Sequence, residues 1–196
     1  QPVYTYFAVF DGHGGSASSK LAASKLGQLV DRYLDNKVEP LEALRRAFID
    51  LDEDIQQLGY KDGTTASVVL LRDSSLYIAH VGDSRIVLKR NNEIIQVTED
   101  HKLTDHEEMQ NYRLSKWFSE KSKLVSRGKI KGFKLIAVSR SLGDNFFEDA
   151  ISPIPDTSEI KLTGTEKIVI ASDGLWNVSS NEEVFKIVEK YTPQKA

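Results

Sequence analysis

Four short apolar segments that follow one another with little chain between them set the strongest limit on the fold. The predicted strands cover residues 65–71, 76–81, 85–89 and 93–97. Links this short suit antiparallel neighbours but leave no room for the crossover helix that parallel strands need. This part of the sequence therefore predicts an antiparallel meander of four strands and argues against an alternating parallel α/β fold.

Two further apolar runs, far apart in the chain, each end in an acid followed by glycine. The run over residues 3–10 stops at Asp11, and the run over residues 166–171 stops two residues before Asp173. If these strands lie side by side, their ends bring two carboxylates to one edge of the sheet. Such carboxylates repel each other unless a cation or a proton joins them.

Two more acidic turns extend the pattern, because Asp83 and Asp144 also stand next to glycine after apolar segments. Four such turns suit a hydrolytic site that holds two Mg²⁺ or Mn²⁺ ions through oxygen ligands. His13, two residues after Asp11, is placed to protonate a leaving alkoxide.

Helical periodicity predicts four helices, over residues 16–34, 40–58, 104–118 and a last segment after Ser180. Pro40 suits the first position of a helix, and Ser180 with Glu183 has the spacing of a capping box. The predicted apolar faces include Leu58 in the second helix and Ile187 in the last. The basic stretch over residues 121–134 is interpreted as a solvated loop, with a phosphate-attracting flap as the alternative.

Composition limits the class of protein. The 196 residues include 40% hydrophobic side chains, carry a formal net charge of -3 and contain no cysteine. These values predict one domain over residues 1–196 with a sizeable core, and no nucleic-acid partner. No apolar run approaches the roughly 18 residues that cross a membrane, so no membrane association is expected. The lack of cysteine excludes disulfides and thiolate metal sites and fits an intracellular protein of the cytoplasm or nucleus.

Six motifs occur in a fixed order along the chain. They are DGHGG (residues 11–15), DGTTA (62–66), VGDSR (81–85), DHK (100–102), AVSRSLGD (137–144) and SDGLW (172–176). Together they resemble the metal-dependent protein serine/threonine phosphatases of the type 2C (PPM) family. The resemblance runs from about residue 6 to residue 191.

This resemblance implies an α+β fold in which two antiparallel β-sheets pack as a sandwich, flanked by helices on both outer faces. It implies hydrolysis of phosphoserine and phosphothreonine in proteins by a water bridged between metal ions. The implied cofactors are two Mg²⁺ or Mn²⁺ ions, with a weaker third, and the implied partners are a phosphoprotein substrate and a regulatory protein.

The resemblance also assigns roles to individual residues of this sequence. Asp11 matches the acid that bridges both metals, and Gly12 matches the glycine whose carbonyl reaches the second metal. Asp173 matches a further metal ligand, and Asp83 matches an acid tied to the third metal in some members. His13 matches the general acid.

Several departures from the family pattern keep other functions open. The family's arginine and acidic ligand before the DGH strand, and its Asp-Asn motif after the last helix, do not occur within this sequence. Asn177 stands where many members have a second acid. These differences support an alternative, a catalytically impaired binding or regulatory module. An aspartyl-phosphate phosphotransferase ranks lower, because such enzymes want an acid where His13 stands.

The remaining polar residues of the motifs are interpreted as structural. Arg85 and Arg140 are expected to pair with carboxylates, and His101 is expected to be a hydrogen-bonded turn residue. Trp176 is expected in the core, and Asp144 is expected to order a loop rather than to bind metal.

Overall fold

The structure is a computed structural model that describes residues 4–102, 125–126, 129–130 and 137–190. Its strands are β1 (Thr5–Val9), β2 (Gly12–His13), β3 (Gly63–Thr64), β4 (Ala66–Arg72), β5 (Ser75–Val81), β6 (Arg85–Arg90), β7 (Glu93–Gln96), β8 (Val125–Ser126), β9 (Lys129–Ile130), β10 (Leu142–Gly143), β11 (Asp156–Lys161) and β12 (Lys167–Ala171). Its helices are α1 (Ala17–Asp35), α2 (Pro40–Gln57), α3 (Asp173–Trp176) and α4 (Asn181–Val188), with a 3₁₀ turn over Asn145–Ala150.

Two antiparallel sheets form the centre of the molecule. The first has the strand order β1-β4-β5-β11 and the second has the order β12-β6-β7. Val69 and Ile78 of the first sheet pack against Ile86 and Leu88 of the second in one buried cluster. The predicted sandwich is therefore confirmed.

Helices cover both outer faces of this sandwich, as predicted. Leu26 of α1 and Phe48 of α2 join one core with Val68 of the first sheet. On the other side, Trp176 and Phe185 pack against the second sheet. Among the helices of the described residues, none is both long enough and apolar enough to span a membrane.

The predicted four-stranded meander is wrong at its second link. Strands β4 and β5 form one hairpin and β6 and β7 form another, but β5 and β6 belong to different sheets. The chain crosses between the sheets at Gly82, whose φ is +92° and whose added Cβ would lie 2.6 Å from Thr65 Cγ2. Glycine adopts this left-handed backbone and close approach without steric penalty. The turn therefore becomes a corner instead of a hairpin.

Strand β11 was missed by the sequence interpretation, which predicted a loop around Pro153 and Pro155 and the next strand only from residue 166. Its sequence, DTSEIK, carries a single large apolar residue. It lies at the edge of the first sheet and pairs only with β5, so it needs little apolar surface. Periodicity detects edge strands of this kind poorly.

The predicted helix over residues 104–118 lies outside the described residues, as does most of the basic stretch over residues 121–134. Within that stretch β8 and β9 pair as a short antiparallel hairpin, where a loop was expected. The sequence also predicts a strand over residues 133–139, most of which lies outside the described part.

The helix boundaries were predicted better than the helix faces. Pro40 is the first residue of α2, and the capping box of Ser180 and Glu183 is present. Leu58, however, follows the end of α2 and is 54% exposed, and Ile187 is 53% exposed. In α4, Val184 and Phe185 are buried instead, because they pack with Trp176 over the second sheet.

Replacing Phe48 by alanine tests this arrangement. Phe48 is fully buried between α2 and the first sheet. We expect Phe48→Ala to lower the free energy of unfolding by about 3–5 kcal/mol, as cavities of this kind do. The control Leu58→Ala removes a side chain of the same predicted apolar pattern and should change stability by less than about 1 kcal/mol. Urea unfolding gives both values, and equal losses would contradict the assigned packing.

Candidate active site

Three of the motifs meet in a small sheet of their own. Strand β3 lies in the middle, with β2 on one side and β10 on the other. Gly12 pairs with Thr64, and Leu142 pairs with the same residue from the other side. Segments more than a hundred residues apart in the chain thus converge at the end of the first large sheet.

Thr65 ties the turn that carries Asp11 to the turn that carries Asp83. Its backbone N–H donates to the carbonyl of Asp11 over 2.9 Å, and its Oγ1 accepts from the Asp11 N–H over 3.1 Å. The same Oγ1 lies 2.7 Å from Ser84 Oγ. Thr65 therefore has the structural role that the sequence indicated, and it holds two acidic turns at a fixed separation.

Between these turns lies a cavity of about 150 Å³, which we call the acidic cavity. Its lining consists of Asp11, His13, Thr65, Asp83, Ala137, Val138 and Asp173. Among the described residues that line it, none is a lysine or an arginine. The structure thus brings four of the five predicted site residues to one space.

Gly12, the fifth predicted residue, is not itself among the residues that line the acidic cavity. It lies in β2 between Asp11 and His13, and a Cβ placed on it would stand 2.6 Å from Ser19 Oγ of α1. The close approach of α1 explains why glycine occupies this position. The predicted role of its carbonyl as a metal ligand stays a prediction.

The carboxyl group of Asp173 lies close enough to that of Asp11 to affect its pKa. Burial raises the pKa of Asp11, and the neighbouring Asp173 carboxylate raises it further, whereas the charge of His13 lowers it. Burial also raises the pKa of Asp83, again with a contribution from the charge of Asp173. Asp11 and Asp83 are each harder to ionise beside Asp173, so the arrangement favours a proton or a cation between these side chains.

Asn177, the residue that departs from the family pattern, contacts Asp173 directly. Its Nδ2 donates to Asp173 Oδ2 over 2.8 Å. The amide orients the carboxylate that follows β12 and adds no negative charge to the cavity.

His13 is held by a buried acid that the sequence did not connect with it. Its Nε2 lies 2.6 Å from Oδ2 of Asp144. Burial alone would lower the pKa of His13, but the hydrogen bond and charge of Asp144, with Asp11 and Asp83, produce a net rise. The expectation that Asp144 orders a loop rather than binds metal stays a prediction. Asp144 is not among the residues that line the acidic cavity, and its contact with His13 was missed.

A second missed residue, Asp62, anchors the start of α1 behind the DGHGG turn. Its Oδ2 accepts from Ala17 N over 2.6 Å and its Oδ1 accepts from Ser18 Oγ over 2.7 Å. Ser16, at the N-cap position itself, makes no side-chain cap. An N-cap supplied from 45 residues away leaves no local sequence signal.

The DHK motif supports the turn of Asp83 from behind. Gly82 N donates to Nδ1 of His101 over 3.1 Å, and His101 N donates to the carbonyl of Gly82 over 3.0 Å. Arg85 donates to both oxygens of Asp100 and lies over the ring of Trp176 at 5.4 Å. His101, Arg85 and the buried Trp176 thus have the structural roles predicted for them.

His101 also belongs to a group of three side chains that could in principle hold a metal, with His80 and Asp156. Its Nδ1 accepts from Gly82, so its Nε2 carries the proton and donates to Asp156 Oδ2 over 3.0 Å. The two imidazoles stack 4.4 Å apart at 14°. Lone pairs lie in the ring planes, and nearly parallel planes do not converge on one ion at metal–nitrogen distances of about 2 Å.

The other carboxylate oxygen of Asp156 is also occupied. Arg140 Nη1 donates to Oδ1 over 2.6 Å, as expected of an arginine paired with an acid. We therefore interpret the three residues as a hydrogen-bonded support for the Gly82 turn and not as a second metal site.

Comparison with known proteins identifies the group to which this arrangement belongs. The family model described as Protein phosphatase 2C matches residues 3–195. The chain belongs to the protein phosphatase 2C family. Protein phosphatase 2C homolog 1 of Saccharomyces cerevisiae is 34% identical over 208 residues, which cover 95% of this chain and 71% of the yeast protein.

Further relatives agree with this assignment. The integrin-linked kinase-associated serine/threonine phosphatase 2C of Homo sapiens is 35% identical over 94% of this chain, which spans 50% of the human protein. The solved structure of a C. elegans sex-determining protein superposes with a TM-score of 0.81 at 25% identity, covering 95% of this chain and 47% of that one. A phosphatase 2C structure from Toxoplasma gondii shares the fold, with a TM-score of 0.69 at 22% identity over 95% of this chain and 73% of that one.

Repulsion in the acidic cavity should be visible in the stability of the metal-free protein. Because the pKa of Asp11 is raised on folding, its ionised form opposes folding at neutral pH, and the penalty shrinks as the pH falls toward that pKa. We expect Asp11→Asn to raise the free energy of unfolding by about 0.5 kcal/mol at pH 7 in EDTA, a small gain because solvent screens a partly exposed group.

Urea unfolding at pH 7 measures this gain. Asp31→Asn, on the exposed side of α1, controls for the loss of one negative charge elsewhere and should change nothing measurable. An Asp11→Asn protein less stable than the wild type would show that the carboxylate is not repelled by its neighbours.

His80 predicts a loss of stability in mild acid. Burial, with a smaller contribution from the charge of His101, lowers its pKa to about 4. Between an unfolded value near 6.5 and about 4, only the unfolded chain takes up the proton, so stability falls as the pH falls through this window. The full loss is about 3 kcal/mol, because one pKa unit corresponds to about 1.4 kcal/mol.

The comparison uses His80→Gln, which retains a donor for the Glu99 carbonyl that His80 Nε2 contacts. Urea unfolding between pH 7 and pH 4 should show a shallower pH dependence for this variant than for the wild type. Parallel curves would mean that His80 titrates normally in the folded protein.

Proposed function

We propose that this protein hydrolyses phosphoserine and phosphothreonine in proteins with the help of divalent cations. The observation that carries the proposal is the meeting of Asp11 and Asp173, from opposite ends of the chain, in one cavity with His13. Membership of the protein phosphatase 2C family supports the same activity. Because the chain spans about half the length of several relatives, the activity is proposed for the full-length protein.

The residues of the acidic cavity fit hard divalent cations. Asp11, Asp83 and Asp173 offer carboxylate oxygens, which Mg²⁺ and Mn²⁺ prefer, and the sequence contains no cysteine to favour softer metals. Burial, and after it the charge of Asp173, raises the pKa values of Asp11 and Asp83, and bound cations would stabilise their ionised forms. We propose Asp11, Gly12 and Asp173 as ligands of two ions, and Asp83 as a ligand of a weaker third.

The cations, when bound, supply a nucleophile at neutral pH and neutralise charge on the phosphoryl group. The protein's own contribution to the chemistry lies with His13. It lines the same cavity and, in its protonated form, can give a proton to the alkoxide that leaves from serine or threonine. Proton donation of this kind contributes typically 10²–10⁴-fold in rate.

We also propose a phosphoprotein substrate and a regulatory protein partner. The human relative is named for its association with integrin-linked kinase, which supports protein partners in this group. We further propose an intracellular location, which the lack of cysteine in the sequence supports. A catalytically impaired binding module is the competing function, and Asn177 in place of an acid is the observation that favours it.

Phosphate release from a phosphothreonine peptide tests the proposal. The full-length protein should release phosphate with Mn²⁺ or Mg²⁺ and not with EDTA. His13→Ala and Asp173→Ala should each lower kcat at least about 100-fold, because they remove the proton donor and a cation ligand. Asp31→Asn is the matched control on the exposed surface and should retain full activity.

Thermal unfolding with added Mn²⁺ separates the two candidate functions. Ions that bind the folded state raise the unfolding temperature, and Asp173→Ala should abolish the rise. An inactive wild-type protein that Mn²⁺ does not stabilise would support the binding module and refute the phosphatase.

A further inference from the structure

Asp144 lies behind His13 as a second, buried acid that does not belong to the acidic cavity. Asp144 is 5% exposed, and its Oδ2 lies 2.6 Å from His13 Nε2. The same Oδ2 also accepts from the hydroxyl of Ser141. A carboxylate oxygen that already accepts two hydrogen bonds, outside the cavity, is suited to orient a side chain and not to bind a cation.

Several features of the backbone direct Asp144 toward His13. Asp144 itself has φ of 55° and the preceding Gly143 has φ of 88°. A Cβ on Gly143 would lie 2.6 Å from the carbonyl of Asp62, and a Cβ on Gly63 would lie 2.2 Å from Asp144 Oδ2. The left-handed conformation is unfavourable for a residue other than glycine, so it persists only where the surroundings enforce it. The backbone at Gly63, Gly143 and Asp144 together leaves room for the Asp144 carboxylate and fixes its position.

The contact also determines which nitrogen of His13 is free. Because the Asp144 carboxylate accepts, Nε2 of His13 is the donor and keeps its proton in the neutral ring. Nδ1 is then the nitrogen that remains to exchange a proton with substrate. Carboxylates that hold one imidazole nitrogen fix both the tautomer and the orientation of the ring.

We propose that Asp144 is a positioning residue that holds His13 Nε2–H, so that Nδ1–H of the protonated ring faces the leaving oxygen of the phosphate ester. As a water oxygen bonds to phosphorus and the P–O bond of the ester breaks, the Nδ1 proton passes to the leaving oxygen. The serine or threonine hydroxyl and inorganic phosphate are the products. Neutral His13 keeps its proton on Nε2, hydrogen-bonded to Asp144, until solvent reprotonates Nδ1. This inference rests on the proposed phosphatase function.

A buried acid that holds the same turn from a neighbouring helix provides a matched control. Asp52 of α2 is 4% exposed, and its Oδ1 accepts from Gly143 N over 2.7 Å. Asp52 thus anchors the β10 turn but has no hydrogen bond to His13. Asp52→Asn should disturb the turn without altering proton donation, whereas Asp144→Asn alters both.

The test compares two substrates on the full-length protein with Mn²⁺. The threonine alkoxide of a phosphothreonine peptide needs a proton to leave, whereas p-nitrophenolate does not. We expect Asp144→Asn to lower kcat for the peptide about 10–100-fold, with KM little changed, and to lower kcat for p-nitrophenyl phosphate less than about threefold. Asp52→Asn should keep the wild-type ratio of the two rates. The double variant His13→Ala/Asp144→Asn should be no slower than His13→Ala alone.

Equal losses on both substrates, or additive losses in the double variant, would overturn the positioning role. Nitrogen-15 NMR of wild-type His13 provides a second test that needs no variant to fold. It should find the proton of the neutral ring on Nε2, and a proton on Nδ1 would overturn the inference. If the wild-type protein releases no phosphate, the proposed function fails, and the NMR result still decides whether Asp144 positions His13.

Discussion

Repulsion between the carboxylates of Asp11, Asp83 and Asp173 is the constraint on which the rest of the structure depends. Without a backbone that holds them in place, three acids around a cavity of about 150 Å³ would move apart or take up protons. Each is held in place by backbone that the fold fixes independently, at the end of a strand or in a corner between sheets. The free energy that overcomes this repulsion comes from apolar burial in the core, which stabilises the folded state as a whole.

The site is divided between the two sheets of the sandwich. Asp11 follows β1 of the first sheet, Asp173 follows β12 of the second, and Asp83 lies in the turn where the chain passes from one to the other. The separation of these acids is therefore set by the packing of the sheets against each other, through Ile78 and Ile86 among others. Interiors are close-packed and resist sliding, which makes the sandwich interface a rigid spacer for the site.

The sequence predicted the features that depend on local chemistry. Strands that end in Asp-Gly, Pro40 at the start of α2 and the capping box of Ser180 all appear as expected. What it could not predict depends on partners distant in the chain. The crossing at Gly82 depends on the packing of Thr65 against this glycine, and no pattern within VGDSR indicates that contact.

The same reason explains the errors at the edges and behind the site. An edge strand such as β11 needs few apolar residues, so its sequence resembles a loop. The side chain of Asp62 caps a helix that begins 45 residues earlier, and Asp144 meets a histidine 131 residues away. Both acids belong to turn-like motifs next to glycine, where an acid is common without any tertiary role. Their partners are visible only after β2, β3 and β10 have come together.

Asn177 shows how one substitution balances charge against orientation in such a site. An acid at this position would add a further negative charge beside Asp173, and with it a stronger pull on an additional cation. The amide instead donates to Asp173 Oδ2 and fixes the direction of that carboxylate. Repulsion within the cavity is thereby lower than it would be with an acid at position 177. For the proposed cation site, this arrangement favours the carboxylates at the two strand ends, Asp11 and Asp173, over a further cation held beside Asn177.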